Sequence, residues 1–313
     1  MKARLSMRWL VGVVVLVGVV ITVWACWPSA PRAEQATGWQ VQADLPMLVT
    51  GPKGVVVDRN GDVYVAESEH IQRLSAGSFR PERLPIQELK DPSNVAFGPA
   101  GELYVGDYSL QRILRISADR RTAVALSFTD AAGQDLSTAG SAMDAGIAVD
   151  HAGTLFATDP EKSRIIKLAA GSATAEVLAT VEHLRPPIAV SDNGDVVVFV
   201  SDPVPTLLTF RGGKSPAVPT PIPDLKFLSA IAIDHRGNRL LADNDLEFSS
   251  ADGNLTSTTT ARLWRLPPEA VTPQRLPYTD LGEVVALTVD SSDTMYYTDR
   301  STLGRVVRLT PMG

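Results

Sequence analysis

The sequence predicts an all-β fold, a six-bladed β-propeller of four-stranded antiparallel blades whose ring is closed by the N-terminal strand. Three observations predict it. First, one phrase is written six times: an apolar run, a tight turn, a second apolar run and an acid. Its copies are GVVVDRNGDVYVAE (54–67), VAFGPAGELYVGD (95–107), IAVDHAGTLFATD (147–159), IAVSDNGDVVVFVSD (188–202), IAIDHRGNRLLAD (231–243) and LTVDSSDTMYYTD (287–299). Second, the turn residues Gly61, Gly101, Gly153, Gly194, Gly237 and Asp293 lie 40 to 56 residues apart with no helical pattern between them, the spacing of propeller blades. Third, the last copy ends one strand short, while WQVQADL (39–45) supplies an extra strand ahead of the first.

Taken in order, residues 1–26 read as a targeting segment. Lys2, Arg4 and Arg8 form a positive start, and Leu10 to Val23 is an uncharged apolar run of 14 residues, short for a membrane span but right for a signal core. Val23-Trp24-Ala25-Cys26 follows, and Cys26 is the only cysteine. The stretch resembles a bacterial lipobox, which implies lipidation of Cys26. The open alternatives are an uncleaved signal anchor and a secreted chain. All three place the domain outside the cytoplasm, and the first two attach it to the cytoplasmic membrane. Residues 27–38, rich in Pro and Ala, read as a tether.

Residues 39–313 then form one domain. Residues 39–45 are expected to pair with the last blade and cover its open edge. Within each blade the first strand is apolar on successive residues, as a strand buried on both faces should be. Its central residue is small at Ala96, Ala148, Ala189 and Ala232 and its flanks are large, so a bulky face can sit against the small face of the next blade. The turn brings the chain back as the second strand. Third strands follow at 71–74, 112–116, 164–168, 207–210, 261–266 and 305–309, and weaker fourth strands at segments such as ERLPIQEL, AVALSF and AEVLATV. Two long insertions interrupt the rhythm, Thr129 to Ala145 between blades 2 and 3, and Asn244 to Thr260 in blade 5.

Charge excludes one class of partner. Without the targeting segment the chain has 26 basic against 35 acidic residues, a net charge of −9. That argues against nucleic acid and against anionic lipid heads, leaving the N-terminal anchor as the membrane contact. A monomer that binds a protein or a small-molecule ligand is the expectation.

The repeated phrase resembles the NHL repeat, whose pattern is roughly G-V-x-V-D-x-x-G-x-V-Y-V-A-D followed by R-I-x-x-L. The likeness spans nearly all of 39–313, with Ser191 and Asp293 as departures. The arrangement resembles the extracellular sensor propeller of a mycobacterial receptor kinase, which implies a binding role. More distantly it is similar to SMP-30/gluconolactonase-like and strictosidine-synthase-like propellers, which implies a calcium-dependent lactonase or esterase. In that alternative Asn94, Asp144, Asp243 and Asp245 would supply oxygen ligands to calcium; in the binding reading no cofactor or metal is expected.

Topology places function on the face that holds the inter-blade connectors and the second-to-third-strand loops. The candidates there are Asn94, Tyr108, Asp144, Arg185 and Asn244. The strand-end acids Glu67, Asp107, Asp159, Asp202, Asp243 and Asp299 lie on the same face. They are expected to cap local turns or to pair with arginines that open third strands, notably Arg112, Arg164 and Arg305. His70 and His183 lie on this face too. The opposite face, with tight turns and the solvated His151 and His235, is expected to leave little room for a pocket. Phosphate-loop, HExxH and G-x-S-x-G motifs are absent from the sequence.

Overall fold

The computed structural model describes residues 39–137, 146–251, 254–279, 281–301 and 304–311. Cys26, the tether and Asp144 lie outside the described residues. The chain forms six four-stranded antiparallel sheets. Five are continuous in sequence. The sixth takes Val284–Val289, Met295–Asp299 and Arg305–Pro311 from the C-terminal end and Trp39–Asp44 from the beginning of the domain. Asp44 faces Val307 across this ladder and Ala43 faces Arg308. Arg305 ties the added strand to the blade, with Nε 2.9 Å from Asp299 and Nη1 3.3 Å from Asp44. The expected closure is therefore present.

Each blade begins at the ring centre for local reasons. In blade 1, Asp58 Oδ1 accepts the backbone N–H groups of Asn60 and Asp62 at 2.9 and 3.0 Å, an Asx turn that reverses the chain. Gly61 completes it at φ 82°, a left-handed conformation that side chains resist. Asp150, Asp234 and Asp290 repeat the arrangement. Asp293 occupies the glycine position at φ 59°, tolerable because Asp is one of the few residues that visits this region.

The core lies between blades rather than inside one. Val95 packs toward blade 1 with Val56, Tyr64 and Leu84. Its neighbour Ala96 points the other way, toward Ile147 and Leu155 of blade 3. Ala148 in turn meets Ile188 and Val196 of blade 4, and Ala189 meets Ile231 of blade 5. The alternation of large and small residues along each inner strand is thus the packing code of the ring. Gly54 and Gly146 precede the inner apolar runs of blades 1 and 3. A Cβ at Gly54 would collide with the Ser93 carbonyl oxygen, and one at Gly146 with that of Pro186.

Two expectations change. The Asn244 to Thr260 insertion is not a loop: the second and third strands of blade 5 run on as Arg239–Ala251 and Asn254–Leu266, paired from Arg239↔Leu266 to Ala251↔Asn254. Ser, Thr and Asp there hide the extension from a search for apolar alternation, because the ladder is made by backbone groups. The fourth strands are shorter than the segments suggest. Blade 1 keeps only Glu82–Arg83 and blade 5 only Gln274–Arg275.

Candidate functional site

On the connector face the centre of the ring opens into a cavity of about 350 Å³. Asn94, Tyr108, Arg185 and Asn244 all line it, drawn from blades 2, 4 and 5; Asp144, the fifth candidate, lies outside the described residues. Lys53, Asp91, Phe227, Ser229, Glu283 and Arg300 complete most of the wall. Asn94, Pro187, Ser229 and Val285 also border a channel below, of about 80 Å³, lined by Val55, Val95, Ile147, Ile188, Ile231 and Leu287 of the inner strands. The mouth is polar and the channel beneath it is largely apolar.

The strand-end acids build this mouth from behind. Asp107 is fully buried, and its carboxylate accepts the N–H groups of Lys90 at 2.7 Å, Asp91 at 3.1 Å and Leu110 at 3.1 Å. It therefore fixes the connector that presents Asp91. Asp243 accepts from Lys226 and Phe227 at 2.8 and 2.7 Å, fixing Phe227. Asp299 accepts from Glu283 at 3.0 Å, and Glu67 from Thr50 at 2.7 Å. Acid and connector are 16 or 17 residues apart in all four. None of the six acids lines the cavity itself.

Arginine pairing follows the expectation in part. Arg164 meets Asp159 and Arg305 meets Asp299, both at 2.9 Å. Arg112 turns away from Asp107 to Ser137 and to Asp135, 3.6 Å distant, in the insertion between blades 2 and 3. Asp107 already has three backbone donors, which leaves Arg112 available to that insertion. Asp202 is the exception among the acids. It is exposed, with His183 Nε2 3.6 Å away. His70 Nε2 lies 3.6 Å from Glu67.

Two of the four oxygen donors that a calcium site would require are committed elsewhere. Asp245 bridges Lys226 and Arg262 at 2.8 and 2.9 Å, and the hydrogen bond from Lys226 lowers its pKa. Asp243 lies 3.4 Å from Arg262, and burial raises its pKa against its two N–H donors. Among the described residues no three His, Cys, Asp or Glu side chains form a group that could hold a metal ion.

Charge in the mouth is mostly neutralised in place. Lys53 pairs with Asp91, and Arg300 Nη2 lies 2.5 Å from Glu283. Arg185 has no carboxylate within ion-pair distance among the described residues; its guanidinium lies 5.4 Å over the Phe227 ring, a cation–π contact. Asn244, 7% exposed, donates its Nδ2–H to the Val284 carbonyl at 2.9 Å, and its Oδ1 has no hydrogen-bond partner.

The opposite face departs from expectation. A second cavity, of about 290 Å³, lies between the turns of blades 4 and 5, with Arg211, His235 and Arg239 in its wall. Its walls come from two neighbouring turns and Pro268, which a single-blade reading does not bring together. His235 is not simply solvated. Its Nδ1 lies 3.0 Å from Asp293, whose Oδ1 also accepts the His235 N–H at 3.0 Å. Burial would raise the Asp293 pKa, but these bonds outweigh it and the net shift is downward.

No protein-family model matches this chain, and no curated protein matches it in sequence. Solved structures do match. A chain of a nidogen/laminin complex is 19% identical at a TM-score of 0.59, over 76% of this chain and 85% of that one. Virginiamycin B lyase from Staphylococcus aureus is 12% identical at 0.57, over 87% and 99%. The PQQ-bound aldose sugar dehydrogenase of Streptomyces coelicolor is 15% identical at 0.57, over 90% and 100%. At these identities the likeness is one of fold.

Proposed function

We propose that this chain is a binding propeller of NHL type, held outside the cytoplasm at the membrane through its N-terminal segment and Cys26, and that the mouth on its connector face receives a ligand or a partner's side chain. One observation carries the reading: Asn94, Tyr108, Arg185 and Asn244, far apart in sequence, converge on one cavity. A cavity of this size with a few convergent polar groups on a rigid ring is the usual form of a small-molecule site. The nidogen/laminin neighbour supports a protein partner as the alternative to a small molecule. The lyase and dehydrogenase among the structural neighbours keep the enzyme alternative as a second reading; stoichiometric calcium in the purified protein would favour its lactonase form. The commitment of Asp243 and Asp245 to Lys226 and Arg262 favours the binder.

The test is a ligand-observed NMR screen of a metabolite mixture against the wild-type chain and Val285→Trp, which fills the boundary between mouth and channel. Molecules that bind the wild type should lose binding to Val285→Trp, with the variant's melting confirming its fold. Binding that survives Val285→Trp and disappears in His235→Ala would place function on the opposite face.

A further inference from the structure

We propose that the mouth takes a small organic monocarboxylate with an apolar body, its acid group held by Arg185. The inference rests on the mouth being the binding site and adds the chemistry of what binds.

The argument is one of subtraction. Of the cations in the mouth, Lys53 has Asp91 and Arg300 has Glu283. Arg185 alone among these has no acid within 4 Å among the described residues. It lies 5.4 Å over the Phe227 ring, and a guanidinium's N–H groups point outward in its own plane, where a carboxylate's two oxygens fit side by side. Pro186 and Pro187 follow it directly and restrict the backbone that positions it. Among the described residues Arg185 is thus the mouth's one cation without a paired acid, and one positive charge matches a carboxylate. A phosphate monoester would bring a second negative charge that nothing in the wall neutralises.

The serine hydroxyls in the wall are already engaged. Ser229 donates to the Val284 carbonyl at 2.7 Å, and Ser93 to the Gly106 carbonyl at 3.1 Å. The amide of Asn244 is oriented by its bond to Val284, since the reverse placement would set oxygen against oxygen. That leaves Oδ1 as a buried acceptor without a donor. Buried acceptors are nearly always satisfied in folded proteins, but this oxygen is closed off from the mouth, which leaves Arg185 as the group that selects the ligand. Phe227, Tyr108 and the two prolines offer an apolar flank for the ligand's body.

The experiment uses the whole chain and four matched probes: mandelate, phenylacetate, mandelamide and phenyl phosphate, with lactate and 3-hydroxybutyrate as smaller acids. Binding is followed by ligand-observed NMR and by methyl shifts of Leu228, Val284 and Val285. The carboxylic acids should bind, with the amide and the phosphate weaker by about tenfold or more. Arg185→Gln should weaken the acids by about tenfold or more, and Arg185→Lys should not restore them, because a lysine lacks the planar fork. Mandelate and phenylacetate should bind alike, since each carries one carboxylate on an aromatic body. The proposal falls if no acid shifts the mouth methyls, or if Arg185→Gln binds acids as well as the wild type. If mandelamide alone shifts them, the site reading stands and the carboxylate reading falls. If nothing shifts them and Val285→Trp changes no interaction in the wider screen, both fall.

Discussion

A chain that begins at Pro46, without Trp39 to Leu45, should melt far below the full domain. The missing strand is the outer member of the last blade, paired from Trp39↔Pro311 to Asp44↔Val307, and Leu45 N–H adds a bond to the Val306 carbonyl at 2.8 Å. At a net 0.5–1.5 kcal/mol per hydrogen bond, the lost ladder is worth about 3–6 kcal/mol. In a domain of this size that is a fall on the order of 10 °C in Tm. The effect is not only energetic. Arg305–Pro311 would become an open edge, and open edges recruit other strands, so the shortened chain should also aggregate near its transition. Thermal unfolding with light scattering checks both. Unchanged melting would mean that the ring is held by the interfaces between blades without the closing strand.

The second large effect is expected at Asp107→Ala. The carboxylate lies in the interior with three backbone donors, from Lys90, Asp91 and Leu110, and its removal leaves those donors without their acceptor in a partly buried site. Buried donors without partners cost about 1–3 kcal/mol each, so a loss of about 3–5 kcal/mol is expected, at the upper end for one substitution. Asp107→Asn keeps an acceptor oxygen and should lose less. Because the same carboxylate fixes Asp91 and precedes Tyr108, both variants should also loosen one side of the mouth. Denaturant unfolding gives the first quantity. A change below about 1 kcal/mol for Asp107→Ala would show that the connector does not depend on its acid.

The closing strand and Asp107 mark what local rules can and cannot reach. The inner strands, their Asx turns and the left-handed glycines follow from neighbouring residues, so Asp58 to Gly61 is readable on its own. Closure by residues 39–44 follows from counting strands. The role of Asp107 is different. Its fixed position in the repeat is visible, but its partners lie 16 and 17 residues upstream in a connector with no repeating pattern. The same offset at Glu67, Asp243 and Asp299 is the signal that could have found the wall of the mouth. No one residue type recurs at that offset in all four connectors, so the offset has meaning only through the backbone N–H groups that the acids hold. Phe227, Asp91 and Glu283 were missed for that reason. Asn94, Tyr108, Arg185 and Asn244 were found because ring topology assigns their face, whatever their contacts. Arg112 and the cavity at His235 depend on neighbours from another segment or another blade, and no spacing within one repeat encodes them.

The most direct measurement of the central claim, that function lies at the connector-face mouth, is methyl NMR mapping of the small molecules that bind the wild-type chain. The two cavities hold different reporters: Leu228, Val284 and Val285 in the mouth, Val197 and Ile233 in the cavity on the opposite face. The account predicts shifts confined to the first set and lost in Arg185→Gln. Shifts confined to Val197 and Ile233, unchanged in Arg185→Gln, would contradict it.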